Sequence, residues 1–278
     1  MSNTITSRTD APAEWRVATA DLSNRVRLPY AEQGGRDGVP VVLLHGLSDS
    51  WRAFEPVLPH LPHSVHAYAV TQRGQGDASR PGSYHLDDLV DDLAQFMDAV
   101  GLSSAVVGGH SMGSIVATRF AIQHPDRTAA LVVMGGATSF TRVGLEEMQA
   151  ELAELAAEEY VDYLRGFQES TLARPVPTDF LEMVVSESAK VAIPTLRALL
   201  DDTCLVDFAS ELATITAPTL LVWGERDAIC SRDEQDRLLA SIAQARLSIY
   251  EGAGHAMHWE QPERFAAELA AFCAEVAA

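Results

Sequence analysis

The stretch Ala105-Val-Val-Gly-Gly-His-Ser-Met-Gly-Ser-Ile-Val-Ala117 decides how this chain folds. Its first three residues form an apolar run of the kind a buried strand requires, and Ile115 to Gln123 has a helical pattern that stops before Pro125. Between them stands a Gly-x-Ser-x-Gly pattern: Gly109, His110, Ser111, Met112 and Gly113. A strand that turns sharply into a helix forces its middle residue into a strained backbone. Small residues two before and two after it avoid collision with the neighbouring strand and helix. The pattern therefore predicts that Ser111 stands exposed at a strand's carboxyl end, facing the free N–H groups of the helix that follows.

Outward from this point, short apolar runs alternate with amphipathic segments. Val41 to Leu44, His66 to Val70 and Ala130 to Met134 read as further strands. Leu86 to Val100 reads as a helix with Leu86, Leu89, Val90, Leu93, Phe96, Met97 and Val100 on one face. After Gly136 the alternation breaks. Residues 137–210 contain helical periods and no convincing strand: acidic helices over Gly144 to Gly166 and more over Thr178 to Leu200, interrupted by Pro194. Alternation resumes with strand Thr219 to Trp223, helix Asp233 to Ile242, strand Arg246 to Tyr250 and a closing helix, Pro262 to Val276. The expected fold is α/β, a mostly parallel central sheet flanked by helices, with a helical lid insertion. Residues 1–136 and 211–278 form the core and 137–210 the lid.

A serine hydroxyl is a poor nucleophile near neutral pH and needs a base, usually a histidine held by a carboxylate. Among nine histidines, His255 follows a strand in Gly252-Ala-Gly-His255 and precedes the last helix, which puts it on the same sheet edge as Ser111. His258 is its rival, expected to begin the helix or line the site. Strand Thr219 to Trp223 ends at Gly224, and Asp227 lies just beyond. Asp201, Asp202 and Asp207 are weaker candidates, because no strand delivers them. An oxyanion hole needs two N–H donors. Met112 N–H follows the serine directly, and the loop His45-Gly46-Leu47-Ser48 supplies the second, taken as Leu47 N–H.

With Leu44-His45-Gly46, Arg73-Gly74-x-Gly76, Gly109-His-Ser-Met-Gly113, Gly224-Glu-Arg-Asp227 and Gly254-His255 in this order, the chain resembles the cap-bearing branch of the α/β-hydrolase fold superfamily over residues 25–278. The resemblance implies Ser111 as nucleophile, His255 as base and Asp227 as acid. It also implies a lid over the active site, no metal and no organic cofactor. One position departs from the pattern: Thr71 stands where family members often carry aspartate. Ser111 in place of aspartate argues against haloalkane dehalogenase or epoxide hydrolase chemistry.

Composition narrows the rest. The chain has 278 residues, 47% of them hydrophobic, which suffices for one large core. A formal charge of −19 repels phosphate backbones and anionic lipid, so neither nucleic acid nor membrane is an expected partner. Cys204, Cys230 and Cys273 share no metal-like spacing and read as isolated, reduced thiols. The first fifteen residues lack the apolar run of a signal peptide, and a cytoplasmic monomer or homodimer acting on a small molecule is expected. The expected reaction is carboxylic-ester or lactone hydrolysis. The same triad also serves C–C or amide hydrolysis, acyl transfer or cofactor-free oxygen chemistry, and a receptor with slow turnover is a third reading. Trp51, Met134, Phe140, His258 and Trp259 are candidate pocket residues, and the glutamates around Glu146 to Glu159 read as a solvated lid face.

Overall fold

The computed structural model describes residues 15–138 and 142–278. Two antiparallel strands open the chain, β1 (Arg16–Asp21) and β2 (Arg27–Gln33). Then follow β3 (Val39–Leu44), β4 (Val65–Val70), α1 (Leu86–Ala99), β5 (Ala105–His110), α2 (Met112–Gln123) and β6 (Thr128–Met134). Between β6 and β7 lie α3 (Arg142–Glu154), α4 (Tyr160–Ser170), α5 (Thr178–Ser188) and α6 (Ile193–Leu199). The chain ends with β7 (Thr219–Gly224), α7 (Arg232–Ser241), β8 (Ala245–Tyr250), a single turn α8 (Met257–Glu260) and α9 (Pro262–Val276).

The strands join in one eight-stranded sheet of order β1-β2-β4-β3-β5-β6-β7-β8. Among the described residues, only the pairs β1–β2 and β2–β4 are antiparallel. Sequence periodicity located β3 to β8 but not β1 or β2. Every residue of β4, β5 and β7 is buried, so each reads as a continuous apolar run. β1 is largely exposed, and β2 carries Pro29, which weakens any strand pattern.

Alternation within the strands builds two cores. Val42, Leu44, Val107, Leu131, Val133 and Leu221 face one side and pack on α1 and α2. Val41, Leu43, Val106, Val132, Leu220 and Val222 face the other and pack on Phe265, Leu269 and Phe272 of α9. Leu152, Leu164, Leu196 and Leu199 of the insertion join the first core. Pro194 lies in the first turn of α6, where its missing N–H costs no hydrogen bond, so it starts that helix instead of interrupting it. No helix among the described residues is long and apolar enough to cross a membrane. The three cysteines are free and buried.

Strand order reverses direction of growth between β3 and β5, the point at which a parallel sheet opens a crevice beyond its carboxyl ends. The loops after β3 and β4 frame that crevice, and a buried ion pair holds the second of them to α1. Arg73 donates to both carboxylate oxygens of Asp92, each at 2.6 Å. Asp92→Ala would leave the guanidinium buried without that carboxylate. It should lower unfolding free energy by about 3 kcal/mol, read as a lower urea midpoint at unchanged slope. An unchanged midpoint would show that the pair does not hold the loop.

Candidate active site

Ser111 sits between β5 and α2 with φ 51° and ψ −119°, one of three non-glycine residues at positive φ among those described. Strain of this kind costs about 1–3 kcal/mol and persists only where the surroundings enforce it. Here both flanks depend on glycine. A Cβ on Gly109 would overlap the Gly113 carbonyl, and one on Gly113 would fall 2.6 Å from the His45 carbonyl oxygen. Ser111 N–H donates to the Met134 carbonyl at 2.9 Å, and Ser114 Oγ–H donates to the Ser111 carbonyl at 2.6 Å. Met112 is the first residue of α2, so its N–H has no intrahelical acceptor.

Asp227 and His255 meet across the ends of β7 and β8. His255 Nδ1–H donates to Asp227 Oδ2 at 2.8 Å, and the two side chains are 2% and 0% exposed. The other carboxylate oxygen accepts from the backbone N–H groups of Ile229 and Cys230, both at 2.8 Å. Three donors thus fix the carboxylate, and the carboxylate fixes the imidazole tautomer. His255 Nε2 is left with its lone pair bare and makes no hydrogen bond, Ser111 Oγ included. Two contacts bring its loop to the elbow. His110 Nε2–H donates to the His255 carbonyl at 3.1 Å, with the two rings 4.8 Å apart. A Cβ on Gly135, the residue after Met134, would lie 2.9 Å from His255 Nδ1. Asp227, Cys230 and His255 offer ligand atoms within 4.8 Å of one another. The Cys230 thiol, however, donates to the Gly135 carbonyl and is pushed up by burial, which ill suits a metal ligand.

The loop after β3 is pinned by groups from the β4–α1 loop. His45 Nε2 accepts from Gln72 N–H at 3.0 Å, so its Nδ1–H donates to the Gly46 carbonyl at 2.7 Å. Burial pushes the His45 pKa down to about 4, and the ring stays neutral. Gln75 Oε1 accepts from Ser48 N–H at 2.7 Å, and Ser48 has φ 65°. Thr71 Oγ1 accepts from Trp51 N–H at 3.0 Å, which gives the residue at the departing position a bracing role. The Leu47 amide is held between these anchors. Asp49 is 3% exposed, and burial pushes its pKa up to about 7, against hydrogen bonds from Gln168 and the Gly46 amide.

The pocket residues fall differently from the sequence expectation. A narrow apolar slot, closed to a water-sized molecule, lies beside Leu47 and Ser48, lined by Met148, Tyr163, Leu164, Phe167 and Leu196 of the insertion. Trp51, His258 and Trp259 are not among its walls. Trp51 packs on the core under α9. Trp259 donates from Nε1 to the Ala53 carbonyl and meets Phe180 edge-on. His258, inside α8, is wholly buried among Phe54, His110 and Phe265. Met134 is core, and Phe140 lies outside the described residues. Asp207 accepts from Ala209 N–H and Asp202 faces His85, so neither approaches His255. A signal for the missed cap contacts exists in α4: Tyr160, Leu164 and Gln168 share its buried stripe, and a glutamine on such a stripe needs partners.

The comparisons with known proteins agree with this fold. A model of the alpha/beta hydrolase family matches residues 41–268. The AB hydrolase superfamily protein YisY of Bacillus subtilis is 27% identical over 249 residues, covering 84% of this chain and 91% of that protein. The 2-hydroxy-6-oxononadienedioate/2-hydroxy-6-oxononatrienedioate hydrolase 2 of Pseudomonas putida is 30% identical over 249 residues, covering 83% and 86%. Among solved structures, an esterase from Exiguobacterium antarcticum superposes with a TM-score of 0.82 at 22% identity, covering 92% of this chain and 98% of that one. The enol-lactonase from Burkholderia xenovorans does so with 0.81 at 19%, covering 92% and 99%. At such identities the structures share the fold.

His258 gives a pH prediction. Neither ring nitrogen has a hydrogen-bond partner, and burial pushes its pKa down to about 3. The unfolded chain therefore binds a proton that the folded chain refuses. Stability from this site is intact above about pH 6.5 and is lost as pH falls toward 3. His258→Phe should narrow the drop in urea midpoint between about pH 7 and 5. An equal drop in variant and parent would contradict the assignment.

Proposed function

The chain belongs to the alpha/beta hydrolase family, and from that premise we propose that it is a serine hydrolase of small, neutral carboxylic esters or lactones, with Ser111 as nucleophile, His255 as base and Asp227 as acid. The observation that carries this reading is the fixed Asp227–His255 pair, its Nε2 lone pair bare, at the same sheet edge as a serine on a strained elbow. Catalytic hydrogen bonds are often long in unliganded proteins and tighten once substrate is bound.

In this mechanism Ser111 Oγ attacks the carbonyl carbon while His255 Nε2 takes its proton. The Leu47 and Met112 amides receive the oxyanion. His255 then returns the proton to the leaving alcohol, activates water against the acyl-enzyme, and ends neutral. Asp227 holds the ring and stabilises its charge without taking the proton. The slot beside Leu47 takes the apolar part of the substrate. The slot is closed to a water-sized molecule in this structure, so a substrate must part its walls, and a short chain or a small ring needs the least movement. No basic residue lines it, which argues against a dicarboxylate such as the one in the name of the Pseudomonas putida relative. The insertion from α3 to α6 acts as a lid, since its helices form the outer wall of that slot.

Ser111→Ala should lower kcat/KM for p-nitrophenyl butyrate at least about ten-thousandfold, and Asp227→Asn by a similar order. Turnover by Ser111→Ala at the parental rate would refute the reading. Inactivity on esters combined with hydrolysis of amides or vinylogous diketones would retain the triad and move the reaction to another bond. Phe167→Ala widens the slot. It should raise the octanoate-to-butyrate ratio of kcat/KM by about tenfold or more, whereas an unchanged ratio would place the acyl chain elsewhere.

A further inference from the structure

A buried polar cluster outside the candidate triad joins the insertion to the loop after β3. Gln168 of α4 donates from Nε2 to Asp49 Oδ1 at 2.9 Å, and the same nitrogen lies 3.0 Å from Ser188 Oγ of α5 and 3.4 Å from Ser48 Oγ. Ser48 Oγ and Ser188 Oγ are 3.3 Å apart. All four residues are at most 3% exposed. Among the described residues no cation pairs with Asp49. The neighbouring Arg52 bonds Glu55 and faces Glu187, and Lys190 bonds Glu187 and Asp77. A carboxylate so placed costs stability that a neutral side chain would not.

What the cluster grips explains its place. Asp49 N–H donates to the Gly46 carbonyl at 3.3 Å, and the cluster takes the Ser48 side chain, so the chain is held on both sides of Leu47. A Cβ on Gly46 would lie 3.2 Å from Asp49 Oδ2 and 3.0 Å from His110 Nδ1. Asp49 therefore sits on the same glycine as the ring whose other nitrogen holds the His255 carbonyl. From the cap side, α4 supplies Tyr163, Leu164 and Phe167 to the slot and, in its next residue, Gln168 to Asp49. The helix that would contact the substrate is the helix that holds the loop.

We propose that Asp49 is a positioning residue which, through Gln168, ties the seating of the cap to the placement of the Leu47 amide, so that a closed cap completes the oxyanion hole. The proposal rests on the serine-hydrolase reading above. Displacing one donor weakens stabilisation of the transition state more than binding of the ground state, so the effect falls on kcat.

A double-mutant cycle on p-nitrophenyl butyrate tests it, with active sites counted by fluorophosphonate labelling. Asp49→Ala and Gln168→Ala should each lower kcat per labelled site about tenfold, with KM within about twofold. The double variant should be no worse than the poorer single, because both break one bridge. Asp49→Asn keeps an acceptor for Gln168 and should recover most of the lost kcat. Should Asp49→Ala fail to fold, Gln168→Ala against Asp49→Asn carries the comparison. Unchanged kcat per labelled site in Gln168→Ala, or losses that multiply in the double variant, would overturn the proposal alone. A parental protein that neither labels nor hydrolyses esters would overturn the reading beneath it as well.

Discussion

A serine can be held at φ 51° only where both flanks yield room, and the rest of the site follows from that constraint. With no side chain at Gly109 or Gly113, α2 seats directly against the carbonyls that end β3. That close seating puts the free amide of Met112 beside the loop bearing Leu47. It also turns His110 inward, where its ring meets those of His255 and His258. The strain is maintained by the sheet beneath, since Ser111 N–H is bonded to β6 through Met134.

Around the elbow, buried histidines brace the loops, and for His45 that work depends on the ring being neutral. His45 uses one nitrogen as acceptor and the other as donor, which a doubly protonated ring cannot do. His110 donates to the His255 carbonyl, and burial beside two other histidines holds its pKa well below the usual range. His255 differs from both in bonding a carboxylate through Nδ1 while its Nε2 makes no hydrogen bond. Three neighbouring imidazoles thus separate into braces and one candidate base by their surroundings alone.

Much of this was legible in the sequence because it is local. Strands buried on both faces announce themselves as apolar runs, and Ser111 and Asp227 each follow such a run by a few residues, while His255 follows the half-buried β8. β1 and β2 escaped notice because one lies exposed at the edge and the other contains Pro29. The walls of the slot are hard to read from sequence for a different reason. Trp51, His258 and Trp259 are near the elbow in sequence or in the loops, but their rings are used for packing. The slot walls instead come from three helices of the insertion, α3, α4 and α6, which are distant in sequence from the elbow. Gln168 and Asp49 are 119 residues apart, and no local period links them. Long-range polar contacts of this kind are set by how the insertion docks.

The central claim is that Ser111 is the nucleophile and that His255 activates it. Labelling with a fluorophosphonate, followed by mass spectrometry of the modified peptide, addresses both points in one measurement. The expected result is a single adduct on Ser111 in the parental protein, formed far more slowly in His255→Ala. An adduct on another residue, or labelling of Ser111→Ala at the parental rate, would contradict the account.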